Sequence, residues 1–511
     1  MASALVKQRL ADLELRQRKE RSHKRVEAVL AKRKATSRRP ARRGSRGFAA
    51  AEVSDLFSDF AGTNRSLNDL LVADLRKMRG RSRQLCLDND YAKRFLAMVR
   101  THIVGRRGIQ LVAKPRENGV IDQLDKKYLE ASWSRWGKRG VCDVTGRLSF
   151  ADFQRLFITA VAQDGEALVV LVPGYPNDWG FAAQMLEADH LDEDLNRKLA
   201  NGNRIVMGVE LDSWDRPIAY HLLTDHPGES VYTYNRRQYA RVPAERVIHG
   251  FIQERPRQVR GIPWAHSAIR GLRMLGGYLE AELVASRLGA GKMGFFTSAS
   301  GAAYKGDDVN DDGSLVTEVE PGTFEQLPEG TTFQGFDPQH PTTAFQNFTK
   351  AILRGVGAGL NVSYPTFAND LEGVNYSSIR SGVLEEREQW RVLQDWMGEA
   401  LLEPVYQAWL AHSLLTGALN LPPRKIAKFQ QVEWQPRGWS WVDPLKDIKA
   451  SAEAIALGVA TRQEIAAQQG KDWRDIVEAL AEEEQIAQQL GVEIGGKHAQ
   501  DPGNQNQPSV A

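Results

Sequence analysis

The chain has 511 residues, 42% of them hydrophobic and 26% charged, with a formal net charge of +3; that length exceeds what one hydrophobic core normally serves and predicts several domains. Its longest apolar runs, such as residues 167–172, fall far short of the about 20 residues needed to cross a bilayer, and the opening "MASALVKQRLADLELRQRKERSHKR" lacks the apolar centre of a secretory signal. Two cysteines, Cys86 and Cys142, exclude a disulfide framework and a protein-only structural zinc site, and predict two buried or half-buried thiols in a reducing compartment.

Charge is unevenly spread. Residues 1–47 hold 16 Lys and Arg against 4 Asp and Glu, leaving 51 against 60 for the rest. The run "KRKATSRRPARRGSRG" (32–47) is Arg-rich and Gly-interrupted, the kind of segment that neutralises phosphates or stays solvated as a mobile arm. A disordered solubilising tail and a nucleic-acid or partner contact both fit it.

Next, "DNDYAKRFLAMVRTHIVG" (88–105) predicts a helix that opens the first folded unit. Asp88 or Asn89 caps it, Tyr91, Phe95, Met98 and Ile103 approximate one face, and Gly105 ends it. Between 164 and 264 the period changes. The β-rich runs "EALVVLV", "RIVMGVEL" and "IAYHLL", the last two joined by the turn-prone "DSWDRP", predict an α+β domain with antiparallel pairs.

Helical spacing returns in "GIPWAHSAIRGLRMLGGYLEAELVASRLGAG", apolar at Trp264, Ile269, Leu272, Leu275, Leu279 and Leu283, predicting a helix over 263–288. Its Ala265, Ala268, Gly271, Gly276, Gly277 and Ala281 would let a neighbour approach closely, which offsets the stability cost of so many glycines, up to about 1 kcal/mol each. Residues 294–341 are rich in Gly, Pro and Asp with strand-like pieces at "SLVTEVE" and "TTFQGF", a small β-containing insertion. Helix resumes after Thr342 or Thr343, with Phe345, Phe348, Ile352 and Val356 on one face.

Then comes "GLNVSYPTFANDLEGVNYSSIRSG" (359–382), much longer than the about 2–8 residues that usually join packed helices. Beyond it Tyr376, Ile379, Val383, Trp390, Leu393, Met397 and Leu401 mark a long helix that Pro404 kinks or stops. Asp443 before Pro444, Thr461 with Glu464, and the stops Gly458 and Gly491 predict three short helices. The final "GGKHAQDPGNQNQPSVA" has no apolar payload and reads as disordered.

Catalytic and nucleotide motifs fail. "GAGKM" (289–293) resembles a phosphate-binding loop, but Ser286 stands where the first glycine is needed and Met293 where a hydroxyl should hold magnesium. His190 in "EADHLDEDLN" sits among acids at a spacing that matches no metal motif, and reads as a solvated surface histidine. No nucleophile elbow, zinc-spaced His pair or paired Cys appears, so neither an enzyme nor a cofactor is expected.

The order of helix, polar insertion, returning helix, long loop and long helix resembles the portal proteins of tailed bacteriophages, specifically the lambda-like family. The resemblance is carried by "DNDYAKRFLAMVRTHIVG", "MLEADHLDEDL", "GVELDSWDRPIAYHLLTDHPG", "RVPAERVIHGFIQERPRQVRGIPW", "GLNVSYPTFANDLEGVNYSSIRSG" and "VEWQPRGWSWVDPLKDIKA". It covers most of 87–491 and rests on number, order and spacing, none of these being a catalytic signature.

The resemblance implies an α+β subunit: a wing (48–261), a first stem helix (262–292), a small α/β clip (293–341), a second stem helix (342–358), a tunnel loop (359–378), a long helix crossing the wing with a following strand segment (379–442) and a helical crown (443–490), between the arm 1–47 and the tail 491–511. It implies a ring of about twelve copies at one capsid vertex, assembled in the host cytoplasm, through which double-stranded viral DNA passes. Terminase large subunit, head-tail connector proteins, and major capsid and scaffold proteins are the implied partners, with no membrane. The channel-loop residues would be Asn361, Ser363, Tyr364, Asn369, Asp370, Glu372 and Asn375, and the docking clip would present Lys305, Asp307, Asp308, Asp311 and Asp312.

The charge pattern agrees with a wall past which DNA slides, since each phosphate paired with Lys or Arg adds affinity that must be broken at every step. Residues 361–378 contain Asp370 and Glu372 and no Lys or Arg; the clip sets Asp307, Asp308, Asp311, Asp312, Glu318, Glu320 and Glu325 against Lys305. A merely solvated acidic loop gives the same composition. The reading from another class is a non-enzymatic DNA-binding protein acting through the Arg-rich arm, which a steep salt dependence lost with residues 1–47 would reveal.

Overall fold

The computed structural model describes residues 64–229, 238–290, 294–298, 308–309, 315–316, 331–335, 344–373, 376–439 and 443–490. The expectations for the arm 1–47 and the tail 491–511 lie outside these. The chain separates at Arg65/Ser66, and the unit Ser66–Ala511 holds the elements that follow.

A helix that periodicity did not reveal comes first: α1, Leu67–Asp88, started by the Ser66 hydroxyl accepting from the Asp69 N–H. Its buried face runs Leu71, Leu75, Arg79, Ser82, Leu85, Cys86, and the two polar members break the apolar stripe that pattern reading requires. The helix at 88–105 is as expected: Asn89 caps α2 (Asp90–Val99) through its side chain, 3.0 Å from the Ala92 N. One π turn, Arg100–Val104, then ends at Gly105, φ 70°. β1 (Gln110–Ala113), α3 (Gln123–Trp136) and α4 (Phe150–Asp164, with a Ser149/Asp152 capping box) follow.

The β-rich region forms two antiparallel sheets. β2 (Glu166–Pro173) is the centre of one, between β9 (Val247–Phe251) and β3 (Phe181–Leu186). The other has the order β8-β7-β6-β5-β4, made of Tyr239–Pro243, Pro217–Leu223, Val209–Leu211, Arg204–Val206 and Arg197–Lys198. "RIVMGVEL" is therefore not one strand. Met207 (φ 47°) and Gly208 (φ 86°) turn it back on itself, the two-residue hairpin geometry that needs positive φ at both positions.

The 263–288 helix starts later than its spacing suggests. Residues 263–268 fold as successive turns, His266 N to Pro263 O and Ala268 N to Ala265 O, both 2.9 Å, and α5 is Ile269–Ala290. The same stretch is pinned to α4, where Trp264 N bonds Ala162 O at 3.1 Å. A Cβ on Gly261 would lie 2.0 Å from Gly165 O. β10 (Gly294–Ser298) pairs antiparallel with β11 (Thr331–Gly335), and Asp308–Val309 with Leu315–Val316, which puts strand in the polar insertion as expected.

α6 (Phe345–Gly359) packs on α5, the Phe348 ring 5.1 Å edge-on from Tyr278. The long connection is not structureless, since it holds a one-turn helix, α7 (Tyr364–Ala368). After α8 (Tyr376–Met397) the helix neither stops nor breaks at Pro404. A π turn, Gly398–Leu402, with Glu403 N bonding Gly398 O, leads straight into α9, Glu403–Thr416. Pro404 thus enters at a helix start, where its missing N–H costs nothing. β12 (Val432–Gln435) pairs with β1. The three C-terminal helices are α10 (Pro444–Ala456, capped by Asp443), α11 (Arg462–Gln468, with the Thr461/Glu464 capping box) and α12 (Trp473–Leu490).

The main core joins α2, α3, α4, β2, α8 and α9 around stacked and edge-on rings of Trp133, Trp136, Phe150, Tyr406 and Trp409. Both thiols are buried in it, and burial pushes Cys86 up to about 11 and Cys142 to about 12, so neither forms thiolate at neutral pH.

One contact to the C-terminal helices is pH-sensitive. Lys126 of α3 pairs with Asp472, which caps the start of α12, at 2.9 Å, and lies 3.8 Å from Glu130. Burial pushes Glu130 up to about 7, against the pull of Lys126 and the Ala113 N–H, and with help from Asp475 and Asp472. The folded state then holds this proton more tightly than the unfolded chain, so stability falls as pH rises from the ordinary Glu range through about 7. Glu130→Gln is expected to flatten that slope, an effect of at most roughly 3 kcal/mol at tenfold affinity per 1.4 kcal/mol. Denaturant midpoints at pH 5.5 and 8 for parent and variant check it; parallel pH profiles would refute it.

Candidate functional site

Two constructions hold residues singled out by the sequence. The first is the connection between α6 and α8. Its root is packed: Leu360, Val362 and Phe367 are buried, with the Phe367 ring 5.8 Å from Tyr91 of α2. Glu386 of α8 ties the root further, accepting from Ser363 N (3.2 Å), Ser363 Oγ (2.7 Å) and Thr366 Oγ1 (3.2 Å) while Trp390 Nε1 donates to its other oxygen at 3.0 Å. Asn361 (φ 54°) and Asn369 (φ 53°) both take the left-handed conformation, which a short amide side chain tolerates.

The tip carries the acids. Asn369, Leu371, Glu372 and Gly373 are exposed. Asp370 accepts from the Tyr364 hydroxyl at 2.7 Å, and Lys350 of α6 lies 3.2 Å from Asp370 and 3.3 Å from Glu372, with Gln346 donating to Glu372 at 3.0 Å. The Tyr364 hydroxyl, the Glu372 N–H and Lys350 hold the Asp370 carboxyl below the usual range, and the two acids raise Lys350. So the loop, which contains no cation of its own, borrows one from the preceding helix.

Of the expected channel residues, Asn361, Ser363, Tyr364, Asn369, Asp370 and Glu372 lie together on this segment; Asn375 lies outside the described residues. So do Lys305, Asp307, Asp311 and Asp312 of the expected docking clip, while Asp308 is in the short strand Asp308–Val309. Sequence reasoning missed Lys350, Phe367 and Glu386. No local pattern marks them, since each acts on a partner about 20 residues away or, for Phe367, on another helix.

The second construction is a buried ionic hub under β2. Glu166 and Arg260 are fully buried and Arg79 nearly so. Glu166 accepts from Arg79 Nη2 (2.7 Å), Arg260 Nε (2.9 Å), His249 Nε2 (3.0 Å) and Gly261 N (2.8 Å). Arg260 spends its remaining donors on the carbonyls of Ala188, Leu191 and Met207, at 3.0–3.1 Å. Burial alone would raise Glu166, but Arg260, His249 and Arg79 overcome it and hold the carboxyl well below the usual range. The hub thus locks "MLEADHLDEDL" and "RQVRGIPW" onto the same strand.

His190 is not a solvated histidine: its Nδ1 lies 2.8 Å from Leu223 O on β7, and the residue is half-buried. It is His226 instead that meets Glu187 (3.2 Å) and Asp189 (3.9 Å), three groups spaced as metal ligands could be. The Gly228 N–H donates to His226 Nδ1 at 3.1 Å, which leaves Nε2 facing the carboxylates. Arg83, 3.2 Å from Glu187 and also bonded to Asp189, already supplies the positive charge. The trio is an ion-paired part of the hub's rim.

Comparison with known proteins decides between the readings. The family model described as phage portal protein, lambda family, matches residues 54–394. The chain belongs to the lambda family of phage portal proteins. The match runs from before α1 into α8, so it takes in both the hub and the loop. The chain is 37% identical over 455 residues to a probable portal protein of Halomonas phage phiHAP-1, covering 88% of each. It is 21% identical over 479 residues to portal protein B of Escherichia phage lambda, covering 82% of this chain and 86% of that one, and 21% identical to the portal protein of Escherichia phage N15. Among solved structures it is similar to the neck of an empty gene transfer agent particle, with 13% identity, 81% of this chain covered and 98% of the other, and a TM-score of 0.43. Its function is that of a phage portal protein, a component of the virion.

Proposed function

We propose that this portal protein is the subunit of a ring of about twelve copies at one capsid vertex, and that residues 359–378 line the channel through which double-stranded viral DNA is packaged and ejected. The observation that carries the loop assignment is its division into a root fixed by Phe367 and Glu386 and an exposed tip whose own charges are acidic. A rigid root places the tip, and a tip with no cation of its own lets a polyanion pass without holding it.

Ring contacts would use α5, where a Cβ on Gly277 would meet no atom within 4 Å and Met274, Leu283 and Val284 are exposed within one chain. A neighbouring subunit's helix is the occupant that small residues beside exposed apolar ones suit. The protein performs no catalysis in this reading. The terminase large subunit supplies ATP hydrolysis and docks with head-tail connector proteins on 293–341, and major capsid and scaffold proteins surround the ring as it assembles in the host cytoplasm.

The test is a crosslink. Leu371 is 65% exposed, and the buried native thiols leave Leu371→Cys as the reactive one. Rings of this variant carrying a thiol-linked photocrosslinker are expected to couple to duplex DNA within the particle. Intact rings that package DNA and yield no crosslink would overturn the loop assignment.

A further inference from the structure

Lys350 sits in an unusual place for the only cation that touches the loop's acids among the described contacts. Its ammonium faces two carboxylates, Asp370 at 3.2 Å and Glu372 at 3.3 Å, the arrangement it would offer to two oxygens of a nucleic-acid backbone. It is also part of a stripe. Gln346, Lys350 and Arg354 follow one another at four-residue intervals along α6, and so share one helix face. The loop touches all three, though Gln346 and Arg354 stay exposed: Gln346 donates to Glu372 at 3.0 Å, and the Arg354 guanidinium stands 5.3 Å from the centroid of the Tyr364 ring in the root.

We propose that Lys350, on this stripe, is a binding site for DNA phosphates, masked by Asp370 and Glu372, which occupy it as internal phosphate mimics. The proposal rests on the channel-loop reading above and adds a second state to it. With the tip down, DNA meets acids and slides. With the tip lifted, it meets Lys350 beside the already exposed Arg354 and is held.

Two bonds tie the tip to the root, from the Tyr364 hydroxyl to Asp370 (2.7 Å) and from the Asp370 N–H to the Pro365 carbonyl (3.1 Å), and lifting the tip gives up the first while the root stays in place. Phe367 is 1% exposed and Ser363 and Thr366 are bonded to Glu386, whereas Glu372 is 73% exposed at its side chain and its ion pair is of the weak, solvent-screened kind. The tip is bounded by two residues in the left-handed region, Asn369 at φ 53° and Gly373 at φ 69°, and a change of backbone angle at either one swings the acids off α6. A phosphate that competes for the ammonium replaces like with like, so the exchange needs no new charge to be buried.

The experiment uses assembled rings and compares the effect of Asp370→Asn with Glu372→Gln on duplex affinity in two backgrounds, Lys350 and Lys350→Met. Both changes keep the polar shape of the side chain, and ring mass confirms assembly. Unmasking predicts a gain of about tenfold or more at low salt, with a steeper salt dependence, when Lys350 is present, and loss of that gain when it is methionine. A gain of equal size in both backgrounds would show only relief of bulk repulsion and overturn the masking. The Leu371→Cys crosslink separates the two levels: crosslinking with a Lys350-independent gain leaves the channel loop standing and removes the mask, while rings that do not crosslink remove both.

Discussion

Arg260→Met is expected to cost this portal protein on the order of 3–5 kcal/mol of stability, the usual penalty for removing one partner of a buried ion pair. Glu166 would remain fully buried with Arg79 as its one neighbouring guanidinium, and the carbonyls of Ala188, Leu191 and Met207 would lose their donors. Methionine fills much of the volume but returns none of those hydrogen bonds. The acid sensitivity should move as well. Glu166 is held below its ordinary value in the folded protein, so its contribution is present at neutral pH and is lost as pH falls through the folded value. Without Arg260 the folded value rises, and acid unfolding should begin at higher pH. Denaturant unfolding at pH 7 and an acid titration followed by circular dichroism test this. A loss below about 1 kcal/mol, within the range of ordinary substitutions, would mean that the hub does not hold the strands together.

Local signals were legible where the chemistry is local. Asn89 and Asp443 cap helices as their sequence context predicts, and Thr461 with Glu464 forms its capping box. α1 was illegible because its inward face includes Arg79 and Ser82, residues that belong inside only once Glu166 and the Gln163 carbonyl are there to receive them. "RIVMGVEL" looked continuous because Met207 gives no warning of a positive φ. Pro404 signals a kink or a stop, but it falls in the first turn of α9, directly after the π turn Gly398–Leu402. The family was readable from the order of motifs. What those motifs do was not: Glu166 and Arg260 are 94 residues apart and meet only in the folded sheet.

The loop shows the same limit. Its length and lack of periodicity marked it as a special connection, and its composition marked it as acidic, yet neither reveals that Phe367 is in the core or that Lys350 neutralises part of the tip. Half of the segment lies inside the fold. Packing fixes the root, while the tip is exposed and held by single polar contacts.

Phe367→Ala should therefore separate the root from the fold. Emptying a buried phenylalanine site costs about 3–5 kcal/mol if the surroundings hold their positions, but α7 is a single turn of five residues and can detach instead. The observed cost is the smaller of the cavity penalty and the free energy of undocking residues 360–368. Undocking gives up the burial of Leu360 and Val362 and the hydroxyl bonds of Ser363 and Thr366 to Glu386. A loss of roughly 3 kcal/mol is expected, with hydrogen exchange accelerated across 360–373 and unchanged across α10 to α12. Phe367→Leu, which keeps most of the apolar volume, should recover more than half of it. In rings, the alanine variant should crosslink to DNA from residue 371 less uniformly, since the tip is no longer placed by a fixed root. Exchange protection of 360–373 that survives the alanine substitution would show that Glu386 alone holds the loop, and that the aromatic contact with Tyr91 is dispensable to it.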